Sequence, residues 1–251
     1  MAIFGYSLCS STLLLVNKLA MVHLPSAPIV SFIQIFASAV FVLILKLSGA
    51  SIDDFNWVAC KAYGIYTVAF VAAIFTNMKA LSLCNVETVI VFRACTPIAV
   101  GIIEYMFMDR ALPTARSSVS LILVATGAVF YCLYDSEFAM KGIQAYSWAI
   151  TYFFFITFEM TYGKKITSSV KMDSVWGPVL YCNFMATLPM FMLGYVGGEY
   201  DNISEKLNAV SPTGIAIIAI SCVIGTLIGY VSVNIVSIDV LGDADPSQTY
   251  I

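Results

Sequence analysis

Hydrophobic positions along this chain form eight long runs, and the short segments between the runs contain most of the polar residues. Each run has about 20 residues, the length of an α-helix that crosses a bilayer, and none alternates like a membrane β-strand. The runs predict helices at 2–22, 27–47, 60–82, 86–107, 114–134, 145–165, 176–197 and 213–236. We therefore expect an all-α polytopic membrane helix bundle with about eight spans.

Composition agrees with a chain that is solvated by lipid. The 251 residues are 60% hydrophobic and 11% charged, whereas soluble domains carry roughly 25% charged residues. The net charge of −3 gives no indication of a nucleic-acid partner. The seven cysteines stand singly without a CxxC pair, and His23 is the only histidine. The sequence therefore predicts neither a metal site nor a cofactor.

Patterns typical of enzyme active sites are missing from the sequence. It has no Walker lysine, no GxSxG motif, no HExxH motif and no pair of carboxylates within a span. We therefore expect a protein that is not an enzyme.

Basic residues between the predicted spans indicate the orientation. The gaps after the second, fourth and sixth helices contain seven of them: Lys46, Lys61, Arg110, Arg116, Lys164, Lys165 and Lys171. The opposite gaps contain three: Lys79, Lys141 and Lys206. Because basic residues concentrate on the cytosolic side of membrane helices, we expect a cytosolic N-terminus. The glycosylation sequon at Asn202 then lies on the lumenal side.

Two parts of the chain share weak similarity. The first helix ends near Lys18 and the sixth near Lys164, while Pro28 and Pro178 begin the second and seventh helices. Transporters often consist of two inverted repeats with the substrate between them. We expect a first five-helix repeat over 1–135, a second repeat over 136–236 with three helices, and a polar acidic tail over 237–251. A ten-helix fold would need two more spans, so the sequence is also consistent with a short isoform or a gene-model fragment.

Charged side chains inside the predicted spans need a partner or a function, because each costs about 2.5–3.5 kcal/mol on insertion scales. Lys18 lies about one turn from the lumenal end of its helix and either extends to the interface or binds a ligand. Arg93 and Glu159 lie deeper. They either pair with each other or contact a substrate. Lys164 lies near the cytosol and is either an orientation charge or a ligand contact.

Several segments, in order along 5–234, resemble nucleotide-sugar transporters of the drug/metabolite transporter superfamily. They include Tyr6–Lys18, Ala73–Asn77, Val86–Arg93 and Trp176–Asn183. The chain most resembles the plant-type carriers of GDP-mannose and GDP-fucose in the Golgi. The resemblance implies a ten-helix inverted-repeat transporter fold, of which this chain has about eight spans.

The resemblance also implies roles for individual residues. Lys18 and Lys164 stand where related carriers have phosphate-binding lysines, and Tyr181 and Asn183 stand in a motif that reads the nucleotide base. The complete set of expected substrate-binding residues is Asn17, Lys18, Asn77, Arg93, Glu159, Lys164, Tyr181 and Asn183.

The function that the resemblance implies is exchange of a nucleotide sugar, GDP-linked in the first place, for a nucleoside monophosphate across the Golgi membrane. The partners are then these nucleotides and the lipid bilayer, with a homodimer left open and no nucleic acid. Two alternatives stay open: an incomplete isoform that does not transport, and a carrier of UDP-sugars or sugar phosphates.

Overall fold

A computed structural model describes residues 2–108, 114–136, 142–170 and 172–244 of the chain. Within these residues the chain is helical and contains no β-strand. The helices are α1 (Ala2–His23), α2 (Ala27–Leu47), α3 (Trp57–Leu83), α4 (Val86–Phe107), α5 (Ala115–Tyr134), α6 (Ser147–Ser169), α7 (Trp176–Val196), α8 (Ile203–Asn208) and α9 (Pro212–Ala244), with a 3-10 turn at Gly142–Tyr146 before α6. The predicted all-α membrane bundle is confirmed.

All eight predicted long helices are present, and their ends have local causes. Helix α3 begins earlier than predicted because the side chain of Asn56 caps it, accepting a hydrogen bond from the N–H of Val58 at 2.9 Å. Helix α9 continues past the predicted end at residue 236 to Ala244. Pro246 is the first proline after that point, so the first half of the expected polar tail has no residue that breaks a helix.

Some residues used in the predictions lie outside the described part of the chain. These are Arg110, Lys141 and Lys171, and the end of the tail over 245–251. The orientation that they helped to predict therefore remains a prediction.

In the described part of the chain, six helices are long and apolar enough to cross a membrane: α2, α3, α4, α5, α7 and the Pro212–Val236 part of α9. Helices α1 and α6 are just as long, with 22 and 23 residues. They carry more polar side chains, among them Asn17 and Lys18 in α1 and Glu159 and Lys164 in α6. The membrane bundle is shown, and the count of eight spans stays a prediction.

Six of the long helices pack in three antiparallel pairs. Helix α1 packs along α9, α3 along α6, and α2 along α7, while α4 packs against α6. Helix α5 packs against α4, and none of its described residues is buried, so it lies at the edge of the bundle. Large apolar side chains such as Val68, Leu133 and Phe184 are exposed on the outside, as expected for a surface that faces lipid.

The main apolar core lies where α1, α2, α3, α4, α6 and α9 meet. Leu24, Met78, Leu81, Val89 and Tyr152 are almost completely buried in it. Only Cys84 and Asn85 separate α3 from α4, so these two helices form a tight hairpin. The packing of this hairpin on α1 and α6 brings the candidate site together.

Candidate functional site

A half-buried guanidinium lies between four helices of the bundle. Arg93, about two turns into α4, donates through Nη2 to the Tyr6 hydroxyl at 3.1 Å and through Nη1 to the Tyr152 hydroxyl at 3.4 Å. Tyr6 belongs to α1 and Tyr152 to α6. Both partners are uncharged, so the hydrogen bonds alone do not balance the arginine charge.

The other deep charge, Glu159, is on α6 and lies more than 4.0 Å from the Arg93 guanidinium. Glu159 lies near the middle of this helix, accepts a short hydrogen bond from the Tyr66 hydroxyl of α3, and interacts electrostatically with Arg93. We call Tyr6, Tyr66, Arg93, Tyr152 and Glu159 the Arg93 cluster. The two deepest charges that the sequence singled out thus share this cluster without forming an ion pair. These hydrogen bonds all join side chains, so a polar ligand could take the place of either partner.

Sequence reasoning missed the three tyrosines of the Arg93 cluster. Tyr152 and Glu159 are seven residues apart and therefore lie on one face of a helix, a spacing that could have paired them. Tyr6 begins the first family-like segment, which could have marked it. Nothing in the sequence indicates that Tyr66 of α3 meets Glu159, because that contact depends on how α3 and α6 pack.

Lys18 contacts the end of a helix. Its Nζ donates to the carbonyl oxygens of Leu81 at 2.5 Å and Cys84 at 3.0 Å. Carbonyls at a helix C-terminus have no partner within the helix and carry its negative partial charge, so an ammonium is favourable there. Lys18 also borders a small cavity of about 140 Å³ that Lys79 and Ser82 help to line. In this conformation Lys18 ties the α3–α4 hairpin to α1.

The other predicted lysine has an acidic partner. Nζ of Lys164 lies 3.0 Å from Oε1 of Glu104, and both side chains are largely buried. The pair joins α6 to α4 towards the end of the bundle where α4 ends. A phosphate that bound Lys164 would have to compete with Glu104.

Two of the predicted asparagines lie in different polar environments. Oδ1 of Asn17 accepts from Nε2 of Gln34 at 2.8 Å, and the same nitrogen donates to Oγ of Ser221 at 2.8 Å, which links α1, α2 and α9. Oδ1 of Asn77 is buried without a hydrogen-bond partner among the described residues. Asn77 lies about three turns from Tyr66, on the same face of α3. Its Oδ1 acceptor is therefore on the side of α3 where Tyr66 joins the Arg93 cluster.

Tyr181 and Asn183 are both buried on α7. The Tyr181 ring lies nearly parallel to Phe55, with centroids 6.3 Å apart, and to Tyr63, at 5.9 Å. Its hydroxyl accepts from the N–H of Asn56 at 2.6 Å and donates to the carbonyl of Asp54 at 3.1 Å. Nδ2 of Asn183 donates to the carbonyl of Val179, one turn earlier in the same helix, at 2.8 Å.

A loop between α2 and α3 is tied to the turn before α7. The Asp53 carboxylate accepts from the N–H groups of Asp173 at 2.8 Å and Ser174 at 3.1 Å. A Cβ on Gly177 would lie 2.5 Å from Oδ2 of Asp53, which explains the glycine there. We call Asp53 with its two N–H donors, and Tyr181 with its two backbone partners, the loop latch. It joins the two halves of the chain at the end of the bundle where α2 ends and α7 begins.

At the opposite end of the bundle, loop residues make a smaller polar network. Lys79 lies 3.6 Å from Glu199, whose carbonyl accepts from Lys206 at 2.7 Å. Asn202, the sequon residue, is exposed, so its side chain is accessible. Its φ of 56° lies in the left-handed region. Burial raises the pKa of the Tyr200 hydroxyl in this loop. The same end has the α5–α6 connection, where burial and the hydrogen bond to Asp135 raise the pKa of Tyr146.

Comparison with known proteins identifies relatives along most of the chain. No family model matches it. It is 36% identical over 234 residues to GDP-fucose transporter 1 of Arabidopsis thaliana, covering 91% of this chain and 67% of that protein. It is 30% identical over 236 residues to a GDP-mannose transporter of the same plant, covering 90% and 61%. A UDP-galactose/UDP-glucose transporter, also from Arabidopsis thaliana, is 25% identical over 213 residues, covering 83% and 63%.

These relatives are similar to the chain in order and over most of its length, and the chain spans about two thirds of theirs. Two of them are named for a GDP-sugar, and the third is named for two UDP-sugars. They are transporters, in agreement with the expectation that the protein is not an enzyme. The chain belongs to the nucleotide-sugar transporter family.

Proposed function

We propose that the protein carries nucleotide sugars, GDP-linked ones in the first place, across the Golgi membrane in exchange for a nucleoside monophosphate. The observation that carries this proposal is the Arg93 cluster, a guanidinium inside a membrane bundle whose hydrogen-bond partners are two tyrosine hydroxyls. A guanidinium offers several N–H donors in a planar fork, which suits the oxygens of a phosphate. The inference that this phosphate belongs to a nucleotide sugar comes from the names of the relatives.

The helix pairs support an inverted-repeat arrangement. Suppose that α1, α2 and α3 correspond, in that order, to α6, α7 and α9. Interchanging the two repeats then turns the α1–α9 pair into the α3–α6 pair and leaves the α2–α7 pair unchanged. The division into 1–135 and 136–236 is consistent with this pattern. The Arg93 cluster takes Tyr6, Tyr66 and Arg93 from the first part and Tyr152 and Glu159 from the second, so it lies between the repeats, as transporter sites do.

The remaining site residues have proposed roles that depend on a change of partner. Lys18 and Lys164 would bind phosphate only after leaving the α3 carbonyls and Glu104, respectively. Tyr181 and Asn183 would meet the base after the ring or the amide leaves its present contacts. Asn77 needs no such exchange, because its oxygen has no hydrogen-bond partner among the described residues.

Uptake into proteoliposomes tests the function. We expect uptake of GDP-fucose or GDP-mannose that requires GMP inside the vesicle and is lost in Arg93→Gln. Lys61→Gln, which removes an exposed positive charge from α3, is the matched control and should keep the wild-type rate. Uptake of UDP-galactose without any GDP-sugar would assign the protein to the UDP-sugar carriers. Absence of all uptake by folded protein would indicate a form that does not transport.

We also propose that the loop latch faces the cytosol and that the N-terminus and the tail lie on the same side. Lys46 near the end of α2, Lys61 near the start of α3 and the even number of predicted spans support this orientation. A tag after Ile251 should then be reached by antibody when only the plasma membrane is permeabilised. Protection of the tag until the Golgi membrane is opened would contradict this topology.

A further inference from the structure

A small cavity at one end of the bundle is lined by two lysines. It lies where α1 ends, α2 begins and α3 ends, and its lining includes Lys18 of α1, Ala27 of α2 and Lys79 of α3. Its volume of about 140 Å³ is well below the roughly 300–1,000 Å³ of pockets that hold a drug-sized ligand. The cavity therefore suits a small group and not a whole nucleotide sugar.

The two lysines have N–H donors that the described residues do not use. An ammonium has three donors, and Lys18 places two of them on the carbonyl oxygens of Leu81 and Cys84. The acidic partner of Lys79 is Glu199, whose Oε1 lies 3.6 Å from Nζ, beyond hydrogen-bond distance. Among the described residues that line the cavity, none is acidic. The cavity thus carries positive charge and has no carboxylate in its lining to balance it.

The start of α2 adds to this charge. Ala27 is the first residue of this helix, and the first turn of a helix carries positive partial charge on N–H groups that have no partner within the helix. A serine at the N-cap commonly accepts a hydrogen bond from such a group. Ser26, only 2% exposed, makes no such bond, and its hydroxyl has no hydrogen-bond partner among the described residues. An anion in the cavity would therefore meet two ammonium groups and a helix N-terminus that no side chain caps.

We propose that this cavity binds a phosphate group. Lysine ammonium groups and helix N-termini are common phosphate ligands in proteins, because phosphate oxygens accept several charge-assisted hydrogen bonds at once. Lys18 keeps both of its carbonyl partners in this site, since its third donor is sufficient. The cavity shares no residue with the Arg93 cluster, so the proposal does not depend on the proposed transport function.

Ions in water and the headgroups of lipids both offer a phosphate group, and the surface beside the cavity favours a lipid. Leu15, Leu19 and Val22 of α1 are 56%, 50% and 70% exposed, and their spacing places them in one stripe along the helix. Val22 also lines the cavity. A phospholipid with its phosphate in the cavity would have its acyl chains along this apolar stripe.

Thermal unfolding of the full chain, in a non-ionic detergent and a buffer free of phosphate, tests the site. Phosphatidic acid is compared with diacylglycerol that has the same acyl chains, and sodium phosphate is compared with sodium chloride at equal ionic strength. We expect phosphatidic acid to raise the melting temperature and diacylglycerol to leave it unchanged, because a ligand that binds only the folded state stabilises it. The comparison of the two salts measures the response to a free phosphate ion.

Variants assign the response to the cavity. Lys79→Gln removes one charge, so we expect the apparent Kd for phosphatidic acid to rise about tenfold, the low end for a charge-assisted contact because the Lys79 side chain is 30% exposed. Ser82→Glu places a carboxylate at the exposed rim of the cavity and should also weaken binding, which keeps the test decisive if Lys79→Gln does not fold. Lys206→Gln removes a charge at the same end of the bundle, outside the cavity, and should keep the wild-type Kd.

The outcomes separate the two sources of phosphate and the site itself. Stabilisation by phosphatidic acid alone assigns a lipid headgroup, and stabilisation by sodium phosphate assigns a site that a free phosphate ion also fills. The proposal would be overturned by equal effects within both pairs of probes, or by a response that Lys79→Gln and Ser82→Glu leave unchanged. A response that is lost in Arg93→Gln would also overturn it, because the phosphate would then bind at the Arg93 cluster. Uptake of GDP-sugars tests the proposed function separately.

Discussion

The Arg93 cluster differs from the contacts of Lys18 and Asp53 in the kind of partner that its polar side chains have. In the Arg93 cluster, the hydrogen bonds join Arg93 and Glu159 to tyrosine hydroxyls. At the helix ends, Lys18 contacts two carbonyls and Asp53 contacts two N–H groups. Backbone groups need a partner in every state of the protein, whereas a side-chain partner can be replaced by a ligand. The difference separates residues suited to ligand exchange from residues that stabilise the fold.

Two basic residues in apolar helices can have different roles in the protein. Arg93 and Lys18 look alike in the sequence, since each is a basic residue in an apolar helix. The structure distinguishes them by partner, with side chains around Arg93 and a helix C-terminus around Lys18. Substitutions of the two residues should therefore change different properties, binding for Arg93 and stability for Lys18.

The largest effect is expected for Arg93→Gln. It removes a charge-assisted contact worth about 1.5–3 kcal/mol, or roughly 10- to 150-fold in affinity for a GDP-sugar. It also removes the cation of the Arg93 cluster, so the ionised form of Glu159 loses a favourable charge interaction and the free energy of unfolding should fall. Thermal unfolding and GDP-mannose binding in detergent measure the two losses separately.

A second variant distinguishes the two losses at this position. Arg93→Gln combined with Glu159→Gln removes both charges, so most of the stability should return while binding stays weak. Recovery of wild-type affinity in the double variant would show that Arg93 does not contact the anion. The Arg93 cluster would then stabilise the bundle without binding the anion.

Lys18→Met should come next in size. The variant keeps the length of the side chain and loses both hydrogen bonds to the end of α3, which should lower the free energy of unfolding by about 1.5–3 kcal/mol. Lys18→Arg keeps the charge and should recover part of that loss. A fall in GDP-sugar affinity with an unchanged melting temperature would instead assign Lys18 to the phosphate site, as the family resemblance implies.

The helices were predictable from the sequence because lipid requires each span to be apolar and to satisfy its own backbone. Runs such as 27–47 and 86–107 therefore gave helix ends that the structure repeats. The partners of polar residues were not predictable. The contacts between Tyr66 and Glu159 and between Lys18 and Leu81 depend on which helices are neighbours, and a hydrophobic run contains no information about its neighbour.

The loop latch should show a smaller effect than Lys18. Asp53→Asn leaves one oxygen for two N–H groups, since the amide NH2 cannot accept, so one backbone donor loses its partner. We expect a loss of about 1–2 kcal/mol in stability. Asp54→Asn is the matched control, because its side chain is 99% exposed and its pair with Lys46 should contribute nothing measurable. Equal melting temperatures for the two variants would contradict a stabilising role for the latch.

Tyr181→Phe should have the smallest effect. It tests the contacts of the Tyr181 hydroxyl separately from those of its ring. The variant removes the hydroxyl that contacts the N–H of Asn56 and the carbonyl of Asp54, while the ring stays beside Phe55 and Tyr63. We expect a loss of about 0.5–1.5 kcal/mol and faster amide hydrogen exchange confined to the loop over 48–56. Tyr195→Phe, an exposed tyrosine on the same helix, is the control and should leave that exchange unchanged.

Ligand binding by the same variant decides what the Tyr181 ring does. If the ring stacks on the base, phenylalanine should keep the affinity for GDP-mannose and Tyr181→Ala should lower it by about 1–3 kcal/mol, the range measured for base stacking on aromatic side chains. If Tyr181 acts only in the latch, both variants should bind the ligand equally once folded, because the hydroxyl contacts backbone alone. Loss of affinity in Tyr181→Phe itself would mean that the hydroxyl exchanges its backbone partners for the ligand, and the latch would then belong to the site.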